Sequence, residues 1–330
     1  SHGSGVRHRI NGSSFKGSLK TGSIFIIRTR KSGSLLKRID RPTMNKKQTQ
    51  LCVVIADTQV GSTLSVCPKG YHDSEGAEVA LNPYQEGLIA WERFWDWVDE
   101  IAKGDPFDLV LNGDLVEGNR FKGGQYWSVD MEDQVGAAIE LLAPKARRAE
   151  NVFVTYGTQV HGNKSEMAIA RALRAVPTNV QGKPVHDRLF LEYECEENGE
   201  IVSKLCLFKH HIGVTTRPYL EASQHSIHLG TEIIEAIRDG QRIPDVICFG
   251  HRHKFGTWQD SERMTVVGHP WQLATRYAHK VVPNPAVRTG GYMLDFREIE
   301  DGLPRLRRKT FKIGLQQQII NPNEISDGDD

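Results

Sequence analysis

The stretch Asp245-Val-Ile-Cys-Phe-Gly-His-Arg-His253 is an apolar run that ends in two histidines. Its apolar part, residues 246–249, has the length and composition of a buried β-strand. Alternate residues of an extended chain point to the same side, so His251 and His253 can face one point in space. Imidazole is the commonest metal ligand in proteins. The stretch therefore predicts half of a metal site, the alternative being two surface histidines on a loop.

Four apolar runs upstream also end in polar side chains. The runs are residues 51–55, 107–111, 152–156 and 201–208, and the side chains that follow them are Asp57 and Gln59, Asp114, His161, and His210 and His211. An aspartate in such a place commonly serves a turn, which is the alternative for each taken alone. In an α/β layered domain, however, ligand-binding side chains gather at the carboxyl ends of strands. Carboxylate, amide and imidazole without thiolate favour Zn, Mn, Fe or Mg.

Taken in order, these residues resemble the motifs of the calcineurin-like metallophosphoesterase superfamily. The resemblance covers residues 51 to about 280, and Gly113-Asp114 and Gly250-His-Arg-His253 match its motifs fully. It implies an α/β fold, a four-layer αββα sandwich with two mixed β-sheets, and two divalent metal ions. The sequences around the motifs look most like a branch common in tailed phages and environmental viral sequences; they are Asp57-Thr-Gln-Val-Gly-Ser62, Gly157-Thr-Gln-Val-His161 and Pro270-Trp-Gln272.

The resemblance also implies a role for each motif residue. Asp57 and His253 would hold the first metal, and His210 and His251 the second. Asp114 would bridge the two metals. His211 replaces His210 as the ligand if its strand ends one residue later. His161 would act on the leaving group.

Two positions depart from the superfamily pattern. Gln59 stands where a second histidine ligand is expected, and its amide oxygen is a weaker ligand than imidazole. Thr158, Gln159 and Val160 precede His161, where the pattern has an asparagine. Thr158 or Gln159 could supply an oxygen ligand, or a water could fill the gap. We therefore predict that the second site binds its metal more tightly than the first.

The implied activity is hydrolysis of a phosphodiester, in a nucleic acid or a nucleotide, by a hydroxide that the two metals activate. Candidate substrate contacts are Arg120, Gln159, His269, Gln272 and Arg276, with a structural or surface role as the alternative for each. A phosphomonoesterase or protein phosphatase is another possibility. A protein of a different class, a catalytically weak metal-binding or scaffold member, is the rival that Gln59 favours. The sequence does not define the native metal, the substrate or the oligomeric state.

The composition is that of an ordinary globular protein, with 38% hydrophobic and 25% charged residues. No apolar run approaches the roughly 18 residues that span a bilayer, so no membrane partner is expected. The five cysteines are scattered and lie mostly in apolar runs, which predicts a reduced, cytoplasmic protein.

Residues 1–43 differ from the rest, because they carry ten of the 42 basic residues and one of the 41 acidic residues. The remainder has 32 basic and 40 acidic residues, and this acidic body argues against non-specific binding of nucleic acid. We predict that 1–43 is a Gly/Ser-rich arm left by an expression tag or disordered, the alternative being a basic arm that contacts a polyanion. The metallophosphoesterase domain would be 44–320, followed by a polar tail, 321–330.

Periodicity predicts four helices, at residues 86–102, 131–148, 165–175 and 219–239. Ser165 is the predicted N-cap of the third. Further strands are expected at 189–195, 264–267, 291–296 and 306–313, with a hairpin turn at Glu197-Asn-Gly199. The tryptophans at 91, 95 and 97 lie near helical spacing, which predicts core packing.

Overall fold

The computed structural model describes residues 26–28, 49–79, 85–119, 126–161, 163–178, 182–215, 217, 220–273 and 288–313. The strands are β1 (Ile26–Arg28), β2 (Leu51–Ile55), β3 (Asp108–Asn112), β4 (Asn151–Thr155), β5 (Leu189–Glu197), β6 (Glu200–Phe208), β7 (Val246–Phe249), β8 (Gly256–Gln259), β9 (Met264–Val267), β10 (Arg288–Glu300) and β11 (Leu303–Lys312). The helices are α1 (Gln85–Ala102), α2 (Met131–Ala146), α3 (Asn163–Ala172) and α4 (Glu221–Arg238).

The strands form two mixed sheets. The first sheet has the order β11-β10-β2-β3-β4, and the second has the order β1-β5-β6-β7-β9-β8. Strands β2, β3 and β4 run parallel in the first sheet, and β6, β7 and β9 run parallel in the second. Each sheet therefore has an edge at which several strands end together.

Alternation along the strands divides the apolar side chains between two faces of each sheet. In the first sheet, Val53, Leu109 and Val154 pack with the tryptophans of α1 and the apolar faces of α2 and α3. Their neighbours Val54 and Val110 face the other way and form a common core with the second sheet.

The remaining face of the second sheet is covered by α4. Leu207, Ile247 and Phe249 pack with Leu229 of that helix. The three cores separate four layers in the order helix, sheet, sheet, helix, which confirms the predicted αββα sandwich.

Most predicted elements lie within a few residues of the observed ones, with two exceptions. Ser165 is not an N-cap, because α3 begins at Asn163 and includes it. Strand β8 was not predicted, because none of its residues is buried and it lies at the edge of its sheet among the described strands, next to β9. The hairpin turn is as predicted, since Asn198 and Gly199 both have the positive φ that a tight β5–β6 connection requires.

The predicted core role of the tryptophans holds for Trp91 and Trp95, which are buried, while Trp97 packs at the edge of the same core. Ile26–Arg28 pairs in parallel with Phe190–Glu192. The rest of the predicted arm and the polar tail lie outside the described residues, so the origin of the arm stays a prediction. None of the described helices combines the length and the apolar character that crossing a bilayer requires.

Candidate metal centre

The polar ends of five strands meet where the two sheets adjoin. The turn after β2 is joined to the turn after β3, because the Asp57 amide donates to the Gly113 carbonyl over 3.1 Å. In the second sheet, the Gly250 amide donates to the His210 carbonyl over 2.9 Å. The two pairs of turns are held together because the His251 amide donates to the Asp57 carboxylate. Backbone hydrogen bonds thus bring the predicted residues to one place.

The turns use an uncommon backbone conformation. Asp57, Gln59, Asp114, His251 and His253 have φ values of 52°, 40°, 52°, 71° and 51°. Non-glycine residues rarely adopt positive φ, and such residues concentrate at functional sites. A fold that keeps five of them in one cluster holds their side chains in a defined direction.

The side chain of His210 lies between two carboxylates. Its Nδ1–H donates to the Asn112 carbonyl over 2.7 Å, which leaves Nε2 facing the centre. Nε2 lies 2.8 Å from Asp114 Oδ2 and 3.8 Å from Asp57 Oδ1. A backbone carbonyl on one ring nitrogen is the usual way in which a protein orients a ligand histidine.

Charge at this position follows from the two carboxylates. Burial opposes a charged imidazole, yet Asp114 and Asp57 raise the pKa of His210 to about 10. Burial also opposes an ionised Asp114, but the charge and hydrogen bond of His210 hold its pKa well below the ordinary value. The two carboxylates therefore stabilise positive charge at this position, whether carried by the His210 ring or by a bound cation.

His251 completes a three-residue group with Asp114 and His210, which we call the His210 half. One potential ligand atom from each lies within 4.8 Å of the others. Burial and the neighbouring His210 lower the pKa of His251 to about 4, so its imidazole is neutral, as a ligand must be. His211 is exposed, and its ring packs against His251 with centroids 4.6 Å apart. Of the two adjacent histidines, His210 is the one that reaches Asp114.

A second group, which we call the Gln59 half, consists of Asp57, Gln59 and His253. His253 Nε2 lies 3.3 Å from Asp57 Oδ1. Burial disfavours a charged His253, but the hydrogen bond and charge of Asp57 raise its pKa. Gln59 is buried, and its Oε1 has no hydrogen-bond partner among the described residues. A buried polar atom without a partner is costly, and a bound cation would satisfy it.

His161 determines which way the Gln59 amide points. Its Nδ1–H donates to the Glu117 carbonyl, which leaves Nε2 as the ring atom that can accept. Gln59 Nε2 lies 3.2 Å from that nitrogen and donates to it. The amide oxygen is consequently directed away from His161 and left without a partner among the described residues.

Thr158 contacts the predicted bridging carboxylate. Its backbone amide donates to Asp114 Oδ1 over 2.6 Å, and its hydroxyl lies 3.1 Å from the same oxygen. A Cβ at Gly157 would collide with Asp114 Oδ1, so only glycine fits beside it. Thr158 thus orients Asp114, and its predicted role as an oxygen ligand stays a prediction.

Of the predicted substrate contacts, one lies close to the centre. Gln272 is buried and donates to Glu117 Oε2 over 2.6 Å. His269 is buried farther out and bonds to Thr310. Gln159 is exposed on the loop before His161. Arg120 and Arg276 lie outside the described residues.

Comparison with solved structures gives similarities at low identity. The Vps29 protein of Entamoeba histolytica complexed with Zn²⁺ is 15% identical, with a TM-score of 0.34 over 79% of this chain and 98% of that one. An archaeal phosphodiesterase is 10% identical, with a TM-score of 0.33 over 79% and 99%. A predicted phosphoesterase of Streptococcus pneumoniae is 12% identical, with a TM-score of 0.28 over 79% and 98%. No family model and no curated protein matches the sequence. Similarities of this size do not define a function.

Sequence reasoning missed two buried carboxylates beside the centre. Glu117 lies three residues after Asp114, so its place in the same turn region could have been inferred from that spacing. Its contacts with His161 and Gln272 could not, because those residues are distant in the chain. Glu166 accepts a hydrogen bond from the Gly157 amide over 3.3 Å, and its Oε2 is without a partner among the described residues. Burial, followed by the charge of Asp114, raises the pKa of Glu166 to about 8. The position of Glu166 beside the centre follows only from the packing of α3 against the turn after β4.

The donor set fits divalent cations. It offers the carboxylates of Asp57 and Asp114, three imidazoles and the unpaired Gln59 oxygen. Carboxylates and imidazoles in such a mixture suit Zn, Mn and Fe, and a purely structural zinc site would more commonly contain thiolates. The structure brings together Asp57, Gln59, Asp114, His210, His251 and His253. His211 packs against His251, and the Thr158 hydroxyl lies beside Asp114.

Proposed function

We propose that this chain is a metal-dependent phosphoesterase that hydrolyses a phosphodiester. The observation that carries the proposal is the convergence of Asp57, Asp114, His210, His251 and His253 from two sheets, with the His210 ring held by a backbone carbonyl so that Nε2 faces the carboxylates. A hydrolytic dimetal centre needs such a set of oxygen and nitrogen donors at one edge of a fold.

Two divalent ions would be held by the two halves, with Asp114 shared between them. When bound, such ions lower the pKa of water to about 7 and polarise phosphoryl oxygens. The metals themselves, whether Mn, Zn, Fe or Mg, are not distinguished by the donor set.

His161 is the residue best placed to act on the leaving group. Its Nδ1–H is occupied by the Glu117 carbonyl, so any proton that it delivers leaves from Nε2. That nitrogen contacts Gln59, and a leaving oxygen would have to replace the Gln59 amide there. General acid help of this kind is typically worth about 10²–10⁴-fold in rate.

A second candidate function is that of a metal-binding or scaffold protein with little catalytic activity. Gln59 favours it, because an amide oxygen replaces an imidazole in one half of the centre. The contact between Gln59 and His161 favours it too, because it occupies the nitrogen that catalysis would need. A phosphomonoesterase or protein phosphatase would use the same centre and differ in the substrate alone.

We further propose a reducing, cytoplasmic setting, since all five cysteines are buried and unpaired. A nuclease is the form of this activity that the resemblance of the motif sequences to tailed-phage and environmental viral sequences favours.

Turnover of bis-p-nitrophenyl phosphate with Mn²⁺, Zn²⁺, Mg²⁺ or Fe²⁺ tests the proposal. We expect metal-dependent hydrolysis that EDTA abolishes and that exceeds hydrolysis of the monoester p-nitrophenyl phosphate. Metal content should be measured on the same sample. Full metal loading without turnover of either substrate would favour the scaffold function, and faster monoester cleavage would favour a phosphomonoesterase.

A further inference from the structure

Three cations lie on one face of the β10–β11 ribbon. Arg288 is paired with Lys312 in the antiparallel register, and Tyr292 is paired with Arg308. Within residues 288–295 of β10 and 305–312 of β11, which pair in one continuous register, even-numbered residues point toward the second sheet. Tyr292 and Leu294 show this by their places in the core between the sheets. Arg288, Arg308 and Lys312, which we call the ribbon cations, therefore share this face.

The opposite face of the same ribbon is different. Arg305 and Arg307 point there, and each forms an ion pair with Glu298. Arg307 also pairs with Asp295 at 2.9 Å. For the ribbon cations, the structure gives no ion pair with any carboxylate in the described part of the chain. The two arginines on one face of the ribbon are thus paired with carboxylates, and the ribbon cations on the other face have no such pair among the described residues.

The ribbon cations lie beside the candidate metal centre. β10 is hydrogen-bonded to β2, and β11 is the next strand out, so β11 is about 10 Å from the strand that leads to Asp57. The Trp271 amide donates to the Asp57 carbonyl over 2.9 Å, and Thr289, next to Arg288, donates to the Pro270 carbonyl over 2.7 Å. A short, hydrogen-bonded segment therefore connects the centre to the cations.

Stacked rings lie between the candidate metal centre and the ribbon cations. Phe255 follows His253 by two residues, and its ring stacks on His269 at 4.7 Å with an interplanar angle of 22°. The guanidinium of Arg308 lies over the same Phe255 ring, 4.9 Å from its centroid. This cation–π contact holds Arg308 in place without neutralising its charge.

His269 gives this place a buried polar atom that lacks a partner. The residue is 4% exposed, its Nε2 is 2.8 Å from Thr310 Oγ1, and its Nδ1 has no partner among the described residues. Burial, then the charges of Arg308 and Arg288, lower the pKa of His269 to about 4, so the ring is neutral. Because the His269 ring is neutral, the positive charge of this region comes from the two arginines and the lysine.

We propose that the ribbon cations form an anion subsite that binds a further phosphate of the substrate, beyond the one that is cleaved. The inference rests on the proposed function and narrows its substrate to a phosphodiester that carries additional phosphates, as in a nucleic-acid strand or a nucleoside polyphosphate. Guanidinium and ammonium groups recognise phosphate through charge-assisted hydrogen bonds. The acidic balance of residues 44–330 is compatible with this, because the positive charge is local to one ribbon.

The test measures, by fluorescence anisotropy, how tightly a labelled single-stranded oligonucleotide binds to the whole chain in EDTA. The measurement is repeated over a range of salt concentrations. We expect the triple variant Arg288→Gln, Arg308→Gln, Lys312→Gln to bind at least tenfold more weakly at low salt. Each phosphate that the variant no longer binds should reduce the slope of log K against log salt by about 0.7. Arg305→Gln, on the same strand but the opposite face, is the matched control and should bind as the unaltered protein does.

Competition with pyrophosphate distinguishes the two sources of phosphate. Displacement of the oligonucleotide by micromolar pyrophosphate would support a nucleoside polyphosphate, and resistance to it would support a strand. Arg308→Lys, which keeps the charge, should restore most of the affinity that Arg308→Gln loses. Equal binding by the triple variant and the unaltered protein would overturn the proposal, as would an unaltered protein that binds neither oligonucleotide nor pyrophosphate. Failure of the proposed function would show separately, as absence of metal-dependent hydrolysis by the unaltered protein.

Discussion

The two halves of the candidate metal centre are built in different ways. In the His210 half, a backbone carbonyl fixes the ring and the Thr158 amide fixes Asp114. In the Gln59 half, the amide of Gln59 is oriented by another side chain, His161, and its oxygen has no partner in the described part of the chain. The first arrangement is set by the strands and glycines of the fold. The second depends on the side chains of Gln59 and His161, which would also take part in metal binding and catalysis.

This difference implies unequal metal affinities. Donors that are already held in position lose little freedom when they bind an ion, and orienting contacts of this kind are typically worth about 10–100-fold in metal affinity. Variants of residues in and beside each half test whether the two metals bind independently.

The largest effect is expected for Asp114→Asn, because this carboxylate faces both halves. We expect loss of both metals and, because hydrolysis would depend on them, loss of all metal-dependent turnover. Metal analysis after gel filtration measures it. Asp108→Asn is the matched control, since Asp108 is a buried carboxylate at the start of β3 that accepts a hydrogen bond from the Tyr193 hydroxyl, away from the centre. Retention of one equivalent of metal by the Asp114 variant would show that the halves do not share this residue.

His161→Ala should separate catalysis from metal binding. We expect a fall of about 10²–10⁴-fold in turnover of diesters with poor leaving groups. The loss should be smaller for p-nitrophenol, which needs little protonation. Because His161 orients Gln59, affinity in the Gln59 half should weaken by less than tenfold, with the His210 half unchanged. A variant that cleaves a poor-leaving-group diester at the unaltered rate would refute the role of His161.

Glu166→Gln tests the buried carboxyl beneath the His210 half. The folded-state pKa of about 8 exceeds the ordinary value of 4.5, so the folded state holds a proton that the unfolded state releases. Stability from this group is therefore full below pH 4.5 and is lost as pH rises toward 8. The penalty at pH 7 is about 3 kcal/mol, which the neutral Gln variant avoids. Urea unfolding in EDTA at pH 5 and pH 7 measures it, and an equal difference between the two proteins at both values would contradict the account.

Gln59→His replaces the amide oxygen by an imidazole, which is a stronger ligand for these metals. We expect about tenfold tighter binding in the Gln59 half, within the range that ligand positioning spans. Activity should rise at limiting metal and stay nearly unchanged at saturating metal. Isothermal titration calorimetry distinguishes the halves. Weaker binding by the variant would mean that the Gln59 oxygen is already a well-placed ligand.

The sequence predicted the strands and the residues that follow them because both signals are local. A buried parallel strand is a short apolar run, and its polar end comes next in the chain. Neither the choice between His210 and His211 nor the contact of Gln59 with His161 is local. Each depends on how residues about 100 positions apart in the chain are brought together.

The ribbon cations could not be predicted from the sequence for the same reason. Arg288, Arg308 and Lys312 belong to basic stretches in which alternate residues look equivalent in the sequence. Only the β10–β11 register separates the paired arginines on one face from the cations without an ion pair, among the described residues, on the other. The error at Ser165 has a simpler cause, since a serine within the first turn of a helix resembles a cap when the start of the helix is misplaced by two residues.

The most direct test of the unequal halves is a calorimetric titration of the metal-free, unaltered protein with Mn²⁺ at pH 7. We expect two equivalents, one bound more tightly than the other by about tenfold or more. The tighter one should be lost in His210→Ala and the weaker one in Gln59→Ala. Two equivalents of equal affinity in the unaltered protein would contradict the account.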